Sequence, residues 1–259
     1  MMKHWIVQVT DGLANLTLKT GKKGNRLTPE TFTELDNALL GLDLKVVRGL
    51  ILDADGDDFS QGFDLSFLLA ADGSDERFLK NLFSTCNQAL DRLYNLPIPS
   101  ISMVKGSCIG GGLLMFLATD FRVADEKAKF GLPEVKQNMV VNLGLKRVYQ
   151  LIGESHTKEL VLLGNPVSAS TMQNWGIINW LIRDGDFKDR IQFFKKYIDS
   201  MPPLAIRANK ELIQKLPTLT MDESIDLEND LQMKIVRSAD FKEAIHSFLE
   251  KRKPEFKGK

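Results

Sequence analysis

The chain has 259 residues, 43% of them hydrophobic, which is enough to bury one sizeable core. Its 34 Lys and Arg balance 34 Asp and Glu, which argues against a protein held to nucleic acid by a general positive field. Cys86 and Cys108 cannot build a disulfide framework, no apolar run approaches the ~20 residues of a membrane helix, and "MMKHWIVQVT" lacks a signal-peptide core, so the chain reads as cytoplasmic.

"WIVQVT" and "LANLTLK" flank Asp11-Gly12 and predict a β-hairpin. "TPETFTELDNALLGL" predicts a helix, with Thr28 as N-cap, Pro29 at the first helical position and Glu34 in the next turn. "VVRGLILDAD" reads as a buried strand and runs into the loop "GDDFSQGFDL". Phe78, Leu79, Leu82, Phe83, Cys86, Ala89, Leu90 and Leu93 recur at helical spacing, and Pro97 and Pro99 stop that helix. "SISMVKG" is a second buried strand. It leads into Gly110-Gly111-Gly112 and an apolar helix.

This alternation predicts a layered α/β core with parallel strands. After Asn142 the pattern turns helical, with "IINWLI" as the one convincing late strand. Pro202-Pro203 marks a hinge, so the chain divides into a core over residues 1–200 and a helical region over 201–259. Phe241, Ala244, Ile245, Phe248 and Leu249 form an apolar stripe near the end, and the basic "KRKPEFKGK" reads as a partly mobile tail.

No nucleophile elbow, phosphate-binding lysine loop or H-E-x-x-H is present, and His4, His156 and His246 stand in unrelated contexts, so no metal site is expected. Two glycine-bearing loops follow buried strands: "FSQGFDL" and "GSCIGGGLL". Loops at the carboxyl ends of strands are where α/β sheets bind ligands. The second loop opens a helix, whose unpaired N–H groups suit a developing negative charge. Close helix–strand packing would explain the same glycines equally well.

These segments, with "GSCIGGGLLMFLATDFRVADEKAKFGLPEV", "GKKGNRLTPETFTELDNAL" and "FKEAIHSFLEKRKPEF", resemble the crotonase, or enoyl-CoA hydratase/isomerase, superfamily over nearly the whole chain and in the right order. The resemblance implies an α/β fold, a crotonase-like spiral of ββα units with a helical C-terminal trimerisation region. It implies a homotrimer or homohexamer in fatty acid metabolism, an acyl-CoA substrate, and no cofactor beyond the coenzyme A of that substrate. It also implies an oxyanion hole made by the N–H groups of Phe63 and Gly111, flanked by Gly62 and Gly110. Glu134 would be the acid–base group. Asp64, which also reads as the cap of the helix "DLSFLL", and Leu65 would lie beside the substrate. Lys22, Lys23, Gly24 and Arg26 lie in the turn that meets coenzyme A in the family. Phe248 and Lys251 lie on or beside its last helix, where Phe248 also reads as core. Arg26 stands where alanine is usual. Trp175 and Trp180 read as core or interface residues.

One position departs from the hydratase pattern. Hydratases of this family carry two glutamates, and the first position here is Leu114. Hydration needs a water positioned and deprotonated while carbon gains a proton, and leucine cannot hold water. "QNMVVNLG" places Asn138 and Asn142 near the site, where amides orient groups without acting as bases. A single glutamate resembles the family's enoyl-CoA isomerases. A non-standard hydratase, a decarboxylase, a C–C hydrolase and a non-catalytic acyl-CoA-binding protein stay open as alternatives.

Overall fold

A computed structural model describes residues 2–70 and 75–259. Strands β1 (Trp5–Thr10) and β2 (Leu13–Leu18) form the expected hairpin, pairing Thr10 with Leu13 and Trp5 with Leu18. Asp11 and Gly12 turn it with φ of 49° and 76°, the left-handed pair such a turn demands. β2 pairs in parallel with β3 (Gly49–Ala54), and β3 with β4 (Ser100–Val104). A second, smaller sheet begins with β5 (Ser107–Ile109). The chain then crosses back through β6 (Phe121–Asp125) to the first sheet and through β7 (Lys129–Gly131) to the second. β8 (Val167–Ser168) closes the small sheet, and β9 (Trp180–Ile182) closes the large one beside β6.

Among the described residues, the chain therefore alternates between two sheets, six-stranded and three-stranded. That is the spiral of strand–strand–helix units the resemblance implies. Single bridges continue the smaller layer: Ser60 pairs with Cys108, and Leu27 with Phe63. These bridges carry the two glycine loops.

Helix α1 (Pro29–Leu40) starts at Thr28, whose capping box with Thr31 satisfies the first amides. Glu34 caps the neighbouring strand instead, accepting from Lys3 N and His4 N. After α2 (Leu65–Ala70) comes α3 (Glu76–Tyr94), which buries Leu82, Cys86, Ala89, Leu90 and Leu93. Phe78 belongs to the expected stripe but is half exposed, since the buried residues of α3 begin at Leu82. α4 (Gly111–Phe116) is buried at every residue. α5 (Leu145–Leu163) breaks at Gly153, and α6 (Ala169–Asn174) precedes β9. Trp175 stacks on His156, and Trp180 packs on Phe121. Cys86 and Cys108 are buried free thiols.

α7 (Lys188–Ser200) covers the large sheet through Phe194 and Ile198. Pro202 breaks the chain, and Pro203 opens α8 (Pro203–Lys215). α8 is tied to the core by the half-buried Lys210–Asp120 ion pair and by Arg207 donating to the Leu44 carbonyl. α9 (Met221–Val236) and α10 (Ala239–Leu249) project beyond it. The expected stripe on α10 is uncovered: Phe248 is 81% exposed and Leu249 70%. The basic tail is tied down, contrary to expectation. Asp240 accepts the amides of Lys257 and Gly258, and Glu243 holds Arg252. Among the described residues, no helix is long and apolar enough to cross a membrane.

Candidate active site

The two glycine loops meet at a cleft of about 420 Å³. Gly62 (φ 84°) and Gly110 (φ 55°) both take left-handed backbone, and a Cβ on Gly110 would lie 3.7 Å from the Gly62 Cα. Gly110 N–H is consumed by the Gly131 carbonyl at 2.9 Å. Among the described residues, the next amide, Gly111 N–H, meets no acceptor, and neither does Phe63 N–H. Orphan amides at a buried site are costly unless something else accepts from them. An anionic oxygen fits that need.

The loop around Phe63 is held rigidly. Ser60 is fully buried; its hydroxyl donates to the Asn25 carbonyl and accepts Gly62 N–H. Asn25 in turn donates to the carbonyls of Asp55 and Asp58. The Asp58 carboxylate accepts Ser107 N–H and the Gln61 amide, which joins this loop to the start of β5.

The glycine triplet divides its work. A Cβ on Gly110 would sit 3.1 Å from Glu134 Oε1, so this glycine keeps the site open. The other two glycines face packed side chains. A Cβ on Gly111 would meet Leu27, Phe32 and Leu143, and one on Gly112 would fall 2.6 Å from Ser60 Cβ. These two allow close helix packing, the structural reading of the triplet, while Gly110 leaves room beside Glu134.

Glu134 opens a 3-10 turn over Glu134–Gln137, straight after β7. Its Oε2 is buried without a hydrogen-bond partner, and burial pushes its carboxyl pKa up. Asn138 closes the turn in left-handed backbone (φ 56°). Leu114 lies one turn into α4, 2% exposed, and lines the cleft. Glu134 is the one carboxylate, and Arg26 the one cation, among the described lining residues. Arg26 is steadied by the Gln61 side-chain oxygen at 3.2 Å.

Gly62, Phe63, Leu65, Gly110, Gly111, Leu114, Glu134, Asn138, Asn142 and Arg26 thus come together on one cleft. Four other expected residues stand outside its wall. Asp64 turns away, pairing with Lys22 at 2.7 Å and accepting from Ser66; these contacts hold its pKa down at about 2. Lys23 is exposed in the same turn. A Cβ on Gly24 would collide with the Gln61 side chain at 2.5 Å, so Gly24 admits Gln61. Lys251 follows α10 with φ of 54°, outside the lining of the cleft. His4, Glu30 and Glu34 bring ligand-type atoms within 4.8 Å of one another, but away from the cleft, and amides of Lys3 and His4 occupy Glu34.

Phe83, Leu68, Ile109, Gln137, Met139, Val140 and Leu143 also line the cleft and were not singled out as site residues. Phe83 hid in the core stripe of α3. Val140 and Leu143 stood in "QNMVVNLG", where their apolar character was the available signal.

Comparison with known proteins agrees with this geometry. A family model described as enoyl-CoA hydratase/isomerase matches residues 8–259. The 1,2-epoxyphenylacetyl-CoA isomerase of Escherichia coli is 30% identical over 265 aligned positions, covering all of both chains. An enoyl-CoA isomerase/hydratase of Mycosarcoma maydis is 32% identical over 84% of this chain and 79% of its own. The crystal structure of an enoyl-CoA hydratase from Bacillus anthracis superposes with a TM-score of 0.91 at 26% identity, covering 99% of this chain and all of the other. With its two-sheet spiral, its paired glycine loops and a match over nearly its full length, this chain belongs to the enoyl-CoA hydratase/isomerase family.

Proposed function

We propose that the chain is an enoyl-CoA isomerase, holding a thioester enolate on the amides of Phe63 and Gly111 and moving one proton with Glu134. The observation that carries this reading is the charge content of the cleft: among the described residues, one carboxylate lines it, and Leu114 occupies the first turn of α4. Glu134 removes a proton from C2 of a 3-enoyl thioester. The negative charge passes to the thioester oxygen and is delocalised over the dienolate. Glu134 then returns the proton at C4, giving the 2-enoyl isomer. Leu114 excludes water, which strengthens each charge interaction and protects the intermediate. The raised pKa of Glu134 brings its proton affinity closer to that of an enolate. Relatives named as an isomerase/hydratase and as a 1,2-epoxyphenylacetyl-CoA isomerase show that the family includes isomerase chemistry alongside its hydratases.

The deciding experiment supplies 3-hexenoyl-CoA and crotonyl-CoA to the pure protein and follows products by mass and NMR. Faster isomerisation than hydration supports this reading. Hydration of crotonyl-CoA as the dominant activity overturns it, and favours a second reading in which the amides of Gln137, Asn138 or Asn142, all on the cleft, hold the water.

We further propose that the exposed apolar residues of α9 and α10 pack against copies of the chain in a trimer or a dimer of trimers. Arg26 on the cleft, with Lys23, Gly24 and Lys251 nearer the surface, would meet the coenzyme A portion of the substrate.

A further inference from the structure

We propose that Asn87 is a positioning residue for the acyl site, acting through the backbone carbonyl of Asn142. This deepens the isomerase reading and rests on it for the kinetic readout alone. One wall of the cleft is a strap, residues 138–143, that links the Glu134 turn to α5; Val140, Asn142 and Leu143 on it line the cleft. At its start, Met139 N–H bonds the Glu134 carbonyl, and past its end Arg147 N–H bonds the Gly144 carbonyl. Between them, among the described residues, one hydrogen bond ties the strap to another element: Asn87 Nδ2 donates to the Asn142 carbonyl at 3.0 Å, across 55 residues of sequence.

The other Asn87 amide hydrogen is committed to the Phe83 carbonyl one turn back, also at 3.0 Å, so the amide plane is held by both bonds. Phe83 and Asn87 share a face of α3. Phe83 forms apolar wall, and Asn87 anchors the strap. The placement matters because Val141 and Leu143 are buried at 7% and 5% exposure while Asn142 between them is exposed. Leu143 Cδ1 lies 3.6 Å from where a Gly111 Cβ would be, so the strap abuts the residue that presents the free amide. Moving the Asn142 carbonyl would move Leu143 and the space offered to the acyl chain.

The test compares Asn87→Asp, which keeps the size but places an acceptor against two carbonyls, with Asn87→Gln, which keeps a donor. Three quantities are measured: acetoacetyl-CoA affinity by calorimetry, kcat and KM on 3-hexenoyl-CoA, and amide hydrogen exchange of residues 138–143. For Asn87→Asp, affinity and kcat should each fall by roughly tenfold, as a displaced wall misplaces the reacting carbons. Exchange in 138–143 should quicken while β3 and β4 keep theirs. Asn87→Gln should recover part of the loss. Wild-type affinity and kcat in Asn87→Asp would overturn the proposal, as would a loss with exchange in 138–143 unchanged. If Asn87→Asp does not fold, Asn87→Gln and Asn87→Ser are read by the same three measurements, Ser being the weaker variant. A wild-type protein that binds acetoacetyl-CoA without isomerising removes the isomerase reading, yet affinity and exchange still decide the role of Asn87.

Discussion

Gly110 faces Glu134 so closely that a methyl group on the glycine would stand 3.1 Å from the carboxylate Oε1. Gly110 also holds φ 55°, ψ −128°, a conformation nearly closed to other residues. Gly110→Ala should therefore lose turnover by roughly 10² through displacement of the carboxylate and the amide that follows. Gly112→Ala meets Ser60 instead, at 2.6 Å. Its main effect should be a lower melting temperature. Calorimetry beside turnover separates the two; equal profiles for both variants would contradict the division of labour within the triplet.

Glu134 gives opposite predictions for rate and stability. Its carboxyl pKa is raised by burial above the ordinary 4.5. The reaction needs the carboxylate, so kcat/KM should fall as pH drops through a value above the ordinary 4.5. Glu134→Gln should abolish isomerisation and leave acetoacetyl-CoA binding nearly intact. A raised acid pKa means that the folded state loses stability as pH rises from the unfolded value through the folded one. Glu134→Gln removes that penalty, so its melting temperature should exceed wild type at pH 7 and converge with it below pH 4.5. A variant that keeps full activity contradicts the mechanism.

Leu114→Glu should move activity toward hydration, since a second carboxylate could hold water against C3. The gain should be small. Leu114 is 2% exposed, and a new buried carboxylate lacks supporting donors there. The ratio of crotonyl-CoA hydration to 3-hexenoyl-CoA isomerisation reads the shift, with a lower melting temperature as its companion. An unchanged ratio would mean that Leu114 does not decide between the reactions.

Arg26→Gln tests the coenzyme A end. If the guanidinium meets phosphate, KM for an acyl-CoA should rise about fivefold, the scale of one part-exposed charge contact. KM for the matching N-acetylcysteamine thioester, which has no phosphate, should stay constant. Equal rises for both thioesters would place Arg26 on the acyl side.

The proposed assembly draws on what α9 and α10 leave bare. Met221, Phe248 and Leu249 are 75%, 81% and 70% exposed. Burying such residues stabilises an interface by roughly 1.5–3 kcal/mol per side chain. Light scattering at micromolar concentration should report three or six copies, and Phe248→Glu should shift the population to smaller species. A stable wild-type monomer would contradict the assembly.

Much of the fold was legible because local chemistry and burial agreed. Asp11-Gly12, the Thr28 cap and the apolar runs of β3 and β4 each point one way. The short strands β5, β7 and β8 were not legible, since two or three residues carry no periodicity and their pairing is set by distant chain. Within the site, Gly110 and Glu134 stood out through motif resemblance. The separate duties of Gly111 and Gly112 did not, because a glycine in sequence gives no sign of which neighbour would occupy its missing Cβ. Phe83 and Asn87 were hidden for a related reason. Helical periodicity marks the face that packs, and it cannot distinguish packing against core from packing against a cleft.

The Ser60 hydroxyl has a consequence for how such a scaffold can change. It bonds Gly62 N–H and the Asn25 carbonyl, and Gly112 closes over its Cβ. Both halves of the amide pair are thereby surveyed from one benchmark. A mutation that shifts either loop alone must break that reference, so the pair drifts together or not at all. On the reading proposed for the cleft, a change of reaction on this frame would come from the side chains around the amide pair, such as Leu114, and would leave the Ser60 bonds in place.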